Sequence, residues 1–274
     1  MNTVLQSRHP VIRVRNLTMA FGDTLVQEKL TFDIKRRSIF IIMGPSGCGK
    51  STLMKHLIGL IEPAKGKVEF LGEDFWGGEE AHREQLLRRA GILFQGGALW
   101  SSMTVAENIA LPLQLHSPLR DDQIRDMVHL KLALVGLSDA GQQYPADLSG
   151  GMRKRAGLAR ALALDPEILF LDEPSAGLDP LSARRLDELI LQLRDTLGIS
   201  MIVVTHELDS MMAIGDDSIF LDNEQKTLIG RGNPRELRDH SQSARVRAFL
   251  KRTEEVDGNR PGEAVSSQEH ENHE

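Results

Sequence analysis

One cysteine, Cys48, occurs in 274 residues, so an intrachain disulfide is impossible and a reducing, cytoplasmic compartment is expected. No stretch approaches the roughly 18 apolar residues that a membrane-spanning helix needs. The densest runs, Ile39-Phe40-Ile41-Ile42-Met43 and Ile168-Leu169-Phe170-Leu171, are strand-length. The opening residues alternate polar and apolar and carry Arg8, Arg13 and Arg15, which is not the pattern of a signal peptide. A basic excess is also missing. The net charge is −6, and residues 253–274 carry all of it, with seven carboxylates against Arg260. The other 252 residues hold 32 basic and 32 acidic side chains. A neutral body with an acidic tail argues against a nucleic-acid partner. The tail has almost nothing apolar to bury and is expected to be disordered.

What is present is enough for a core: 41% hydrophobic and 26% charged residues. Ile12-Val14, Leu30-Ile34 and Val68-Phe70 alternate like half-buried strands. Ser38 to Met43 is a continuous apolar run, as in a strand covered on both faces. It enters a glycine-rich loop, and Ser51 to Leu60 then has helical periodicity, with Pro63 and Gly66 closing the unit. Residues 96–148 change character. Helical stretches are expected at Val105–Ile109 and Asp122–Val135, with no good strand. From Ser149 the alternation returns: helix Gly150–Leu164, strand Ile168–Leu171, helix Ser182–Leu197, strand Met201–Thr205 and helix Glu207–Ile214. Alternating helix and strand predict a parallel sheet.

Gly44-Pro45-Ser46-Gly47-Cys48-Gly49-Lys50-Ser51, followed by Thr52, fits the phosphate-binding P-loop between a buried strand and a helix. Its N–H groups and helix dipole suit phosphate oxygens. Lys50 would neutralise phosphate charge and Ser51 would hold Mg²⁺. Ile168 to Leu171 ends in Asp172 and Glu173, 122 residues after Lys50. In a P-loop protein Asp172 would serve Mg²⁺ and Glu173 would be the general base for water. Leu148-Ser149-Gly150-Gly151-Met152 places a helix cap and a second anion-binding helix end in the same chain. Cys48 lies beside Lys50 at a helix start, so it is either an inert filler or a thiolate-prone, maleimide-reactive group whose labelling blocks ATP.

The order P-loop, Gln95, Leu148-Ser149-Gly150-Gly151-Met152, Asp172-Glu173, Ser175-Ala176-Gly177-Leu178-Asp179 and His206 resembles the ATP-binding subunit of ABC transporters, over about residues 11–250. The resemblance implies an α/β P-loop NTPase (RecA-like) lobe, with a mostly parallel sheet and antiparallel N-terminal strands, over 1–94 and 149–252. An inserted all-α lobe is implied at 95–148, before the acidic tail at 253–274. It also implies a head-to-tail homodimer with two sandwiched ATP molecules. Gln95 would sense γ-phosphate and Mg²⁺, and Ser149, Gly150 and Gly151 would contact the partner's γ-phosphate. Asp179 would meet the partner, and His206 would be the switch histidine. Phe21, 23 residues before Gly44, is either core or the aromatic that stacks on adenine.

Met152 departs from the usual glutamine and cannot donate a hydrogen bond to ribose. That variant is similar to the ATPases of Mla-type, Mce-associated lipid transporters. Leu93 to Trp100, Met103 to Leu113, Lys131 to Leu137 and Arg245-Val246-Arg247-Ala248-Phe249-Leu250 agree with this branch, although Ala98-Leu99-Trp100 could equally be core packing. The branch implies phospholipid or a similar hydrophobic cargo and an integral-membrane permease, docked near Gln95 and Trp100. It further implies an Mce-type lipid-binding protein, a small cytoplasmic regulator, and a place on the cytoplasmic side of the inner membrane. The alternative is an ABC importer for a polar solute. A ribosome- or DNA-acting relative would carry two cassettes or a long coiled coil. A small-molecule kinase would leave the Leu-Ser-Gly-Gly motif, Gln95 and His206 unexplained. His82, His116 and His129 are scattered and His270 and His273 lie in the tail, so the metal expected is Mg²⁺ arriving with ATP.

Overall fold

The computed structural model describes residues 9–252; the acidic tail lies outside the described residues. Among the described residues, ten strands form two sheets. In the first, β1 (Ile12–Phe21), β2 (Thr24–Ile34), β4 (Lys65–Phe70) and β5 (Glu73–Asp74) lie antiparallel in the order β2-β1-β4-β5. In the second, β10 (Leu228–Arg231), β9 (Asp217–Leu221), β3 (Ile39–Met43), β8 (Ser200–Val204), β7 (Ile168–Asp172) and β6 (Ala90–Leu93) lie side by side in that order. All its neighbours pair in parallel except β10, which runs antiparallel to β9.

The apolar runs are explained by two cores on opposite faces of the second sheet. Ile39, Ile41, Met43, Leu169, Leu171, Met201 and Val203 enter one core. Phe40, Ile42, Ile168, Phe170, Ile202 and Val204 enter the other, shared with the antiparallel sheet. Successive side chains of a strand point to opposite faces, so a strand buried on both faces must be apolar throughout.

Nine helices lie among the described residues: α1 (Lys50–Leu57), α2 (Glu80–Leu87), α3 (Val105–His116), α4 (Asp121–Leu134), α5 (Gly150–Ala161), α6 (Pro180–Leu197), α7 (Leu208–Ile214), α8 (Pro234–His240) and α9 (Ala244–Lys251). Between β6 and α5 the chain has α3, α4 and two short 3₁₀ turns, but no strand. A capping box between Thr104 and Glu107 starts α3, which continues past the expected end at Ile109 and through Pro112.

Several expected boundaries shift. The helix expected to reach Leu60 ends at Leu57, because Gly59 adopts a left-handed φ of 76°. Gly66, expected to close the unit, lies inside β4; a Cβ there would sit 2.4 Å from the Asn16 carbonyl oxygen, so glycine lets β4 approach β1. Helix α5 ends at Ala161 rather than Leu164. Helix α6 begins at Pro180 rather than Ser182, because Asp179 accepts from the N–H groups of Leu181 and Ser182 and caps it. Strands β6, β9 and β10 carry too little distinctive pattern for the sequence to have announced them.

Candidate nucleotide site

Parallel pairing carries four expected site segments to one edge of the second sheet. The glycine-rich loop follows β3, His206 follows β8, Asp172 and Glu173 end β7, and Gln95 follows β6. Ligands of open α/β sheets bind at this edge, beyond the carboxyl ends of the strands.

The loop is shaped by backbone constraints. Gly44 has φ 145°, and a Cβ there would lie 2.3 Å from the Leu221 carbonyl oxygen and 2.7 Å from Cys48 Sγ. Gly49 has φ 99° and caps α1 without any side-chain acceptor, so the first N–H groups of that helix carry no cap. Ser46, Gly47 and Ser51 are exposed. Lys50 turns its ammonium back onto the loop, donating to the carbonyls of Gly44 at 2.8 Å and Pro45 at 3.0 Å.

Cys48 departs from the reactive expectation. It is buried, and burial pushes its thiol above the ordinary value by more than the Lys50 ammonium pulls it down. Its side chain fills the space under Gly44. The structure therefore favours an inert thiol.

Asp172 and Glu173 sit differently. One Asp172 carboxylate oxygen, Oδ1, is buried and has no hydrogen-bond partner. Burial, then the Glu173 charge, raises its pKa, against the opposing pull of Lys154 and Lys55. An orphaned carboxylate oxygen of this kind suits a hard divalent cation with oxygen ligands. Glu173 adopts the left-handed φ of 49°, and its Oε2 lies 2.9 Å from His206 Nδ1. Gln95 and His206 are exposed.

The remaining expected residues lie elsewhere. Ser149 caps α5 by accepting from the Met152 N–H at 3.2 Å. Met152 itself is half-buried against a core. Ser149, Gly150 and Asp179 are exposed, and among the described residues no hydrogen bond or ion pair joins Ser149, Gly150, Gly151 or Asp179 to residues 44–52. Phe21 is 51% exposed at the end of β1, which removes the core reading. Trp100 is 59% exposed, so it too is not core; Leu99 does pack against the core.

Sequence reasoning missed three supporting groups. Lys154, on α5, is buried and donates to the carbonyls of both Gln95 and Glu173. A lysine one helical turn before Leu158, on the buried face of α5, was the available signal. Gln27 is fully buried; its amide donates to the Cys48 and Asp222 carbonyls, at 2.7 Å each. The Asp222 carboxylate in turn receives Arg245 of α9 through two contacts of 2.9 Å. Burial alone would raise the Asp222 pKa, but N–H donors from the following turn and the Arg245 guanidinium leave it lowered. The Cys48 carbonyl of the loop is thus held by Gln27 of β2, whose other partner, Asp222, is tied to α9.

Comparison with known proteins gives the following similarities. Residues 27–176 match the family model described as ABC transporter. The chain is 39% identical over 239 residues to the "Probable ribonucleotide transport ATP-binding protein mkl" of Mycobacterium leprae, covering 87% of this chain and 68% of that protein. It is 38% identical over 241 residues to the "Intermembrane phospholipid transport system ATP-binding protein MlaF" of Haemophilus influenzae, covering 88% of this chain and 90% of that one. A solved dimeric bacterial ABC transporter cassette superposes with a TM-score of 0.73 at 26% identity, covering 81% of this chain and 98% of the other.

Proposed function

The chain belongs to the ABC transporter family and is an ATPase, and from that premise we propose that it powers a permease moving phospholipid or a similar hydrophobic molecule. It works as a head-to-tail homodimer with two ATP molecules between the subunits. The observation that carries the cargo reading is the match to the phospholipid transport ATP-binding protein over 90% of that protein's length. The permease docks near Gln95 and Trp100. An Mce-type lipid-binding protein and a small cytoplasmic regulator complete the assembly, with this chain itself peripheral on the cytoplasmic side of the inner membrane.

In this reading residues 44–52 wrap the phosphates and Phe21 stacks on adenine. Lys50 exchanges its two loop carbonyls for phosphate oxygens, a trade of neutral acceptors for charged ones that favours the bound state. Mg²⁺, held by Ser51, Gln95 and Asp172, would neutralise charge developing on the phosphates. Asp172 fits that task because its Oδ1 is buried and unpaired. Glu173 accepts a proton from the attacking water, and His206 holds its carboxylate in place. Ser149, Gly150 and Gly151 offer their helix end to the partner's γ-phosphate, and Asp179 meets the partner subunit. Exposure of Ser149 and Gly150 supports a role across an interface.

A second reading is an importer of a polar solute; the mkl relative's name, which speaks of ribonucleotide transport, favours its polar cargo and not its direction. Purifying the chain with its membrane partners and identifying the bound molecule by mass spectrometry decides between them. Phospholipid in stoichiometric amount supports the first reading, and a bound polar solute with no lipid overturns it.

A further inference from the structure

Helix α5 grips the segment after β6 at three points. Lys154 donates to the Gln95 carbonyl, and Arg160 donates to the carbonyls of Gly97 and Ala98. Gly157 packs so closely that a Cβ there would lie 3.0 Å from the Gly97 carbonyl oxygen and 2.8 Å from Leu93 Cδ1. Lys154 also crosses to β7, donating to the Glu173 carbonyl at 2.8 Å. With 7% of its surface exposed, its ammonium is a buried charge satisfied by two main-chain oxygens.

Glu173 needs such support. Its φ of 49° is disfavoured for any residue with a side chain. Its N–H is taken by the Val204 carbonyl at 2.8 Å, and its carbonyl accepts from Lys154 and, at 3.3 Å, from the Ala176 N–H. The strained turn is therefore held from both ends, and the bond to Lys154 is the one that comes from a different layer of the fold.

We infer that Lys154 is a positioning residue that fastens the main chain of Gln95 and Glu173 to the helix whose N-terminus carries Ser149. The inference rests on the reading of Gln95, Glu173 and Ser149 given above and deepens it. Ser149 faces the ATP held by the partner, whereas Gln95 and Glu173 act on the ATP of their own subunit. Helix α5 thus joins the two nucleotides through one rigid body, and Lys154 is its link to the hydrolytic side. When the sandwich closes on Ser149, the displacement of α5 reaches Gln95 and Glu173 through this ammonium.

The test uses the full chain and five proteins: wild type, Lys154→Met, Lys154→Arg, Glu173→Gln, and Glu173→Gln combined with Lys154→Met. Methionine keeps the length and apolar stem but donates nothing. Lys154→Met should lower kcat on the order of 10- to 100-fold, the scale of a small misplacement of reacting groups. KM and the Kd for ATP should stay within about twofold, the signature of an interaction that matters in the transition state. Lys154→Arg, which keeps charge and donors, should recover most of the rate. The double variant should still form the ATP-dependent dimer seen by light scattering with Glu173→Gln alone. A wild-type kcat in Lys154→Met overturns the inference. So does loss of ATP binding, of the dimer or of the fold alongside the rate, or failure of arginine to restore it. Normal turnover by Glu173→Gln would instead sink the reading of Glu173 as base, and is scored separately.

Discussion

The Glu173 carboxylate and the His206 ring meet at the ends of adjacent strands: Oε2 lies 2.9 Å from Nδ1, and the same oxygen accepts the His206 main-chain N–H at 3.4 Å. His206 Nε2 is in turn 3.3 Å from the Glu207 carboxylate. The histidine therefore spans two carboxylates and fixes the direction of one of them. Its position follows from the parallel pairing of β7 with β8, which sets Asp172 opposite Val204.

This relationship makes two substitutions distinguishable. Glu173→Gln should keep ATP binding and lose hydrolysis by roughly 10²–10⁴, because an amide cannot accept the proton of the attacking water. His206→Ala should cost less, about 10-fold, since the proposed base remains and only its orientation is lost. Steady-state phosphate release measures both. Equal losses would place the histidine in the chemistry itself.

Ser149→Arg should abolish ATP-driven dimerisation while leaving nucleotide binding by the monomer intact. The exposed Ser149 end of α5 would then carry a long cation where the proposed sandwich places the partner's phosphate. Sedimentation with and without ATP checks it, and wild-type dimerisation would rule out the sandwich.

Asp187 brings a pH dependence. It is buried on α6, accepts from Ser210 of α7 at 2.7 Å, and leaves Oδ1 without a partner. Burial raises its pKa from 3.8 to about 6. The folded chain therefore holds this proton over a range where the unfolded chain has released it. Its contribution is greatest below pH 3.8 and declines as the pH rises through about 6, by about 3 kcal/mol in all. Asp187→Asn keeps an acceptor for Ser210 and removes the titration. Its melting temperature should exceed that of wild type at pH 8, by about 2–4 °C per kcal/mol gained, and converge with it at pH 4. Thermal melts at the two pH values decide this.

Maleimide should label Cys48 slowly in the folded protein and fast in denaturant, because the thiol is buried and its pKa raised. Bound Mg-ATP should slow the folded-state reaction further by closing the loop around phosphate. Cys48→Ala should bind ATP as wild type does and resist the reagent. Rapid labelling of the folded protein, at the rate of a free thiol, would contradict the burial of Cys48.

Phosphate-binding patterns and burial on two faces write themselves into short, contiguous stretches, so the proposed site segments and the doubly buried strands were both legible in the sequence. Residues 44–51 and Asp172-Glu173 each combine a backbone shape and a charge within a few positions, and Ser149 to Gly151 combine a helix cap with two glycines. The runs Ile39 to Met43 and Ile168 to Leu171 announce strands covered on both sides. Tertiary structure alone decided what surrounds those stretches. It buried Cys48 against Gly44, exposed Phe21, and moved the start of α6 back to a capping Asp179. It set Gln27 between Cys48 and Asp222, across 21 and 195 residues of chain, and Lys154 between Gln95 and Glu173, across 59 and 19. A side chain's solvation, and so its charge and reactivity, depends on what packs against it; that packing is set by segments far away along the chain, and no local pattern encodes it.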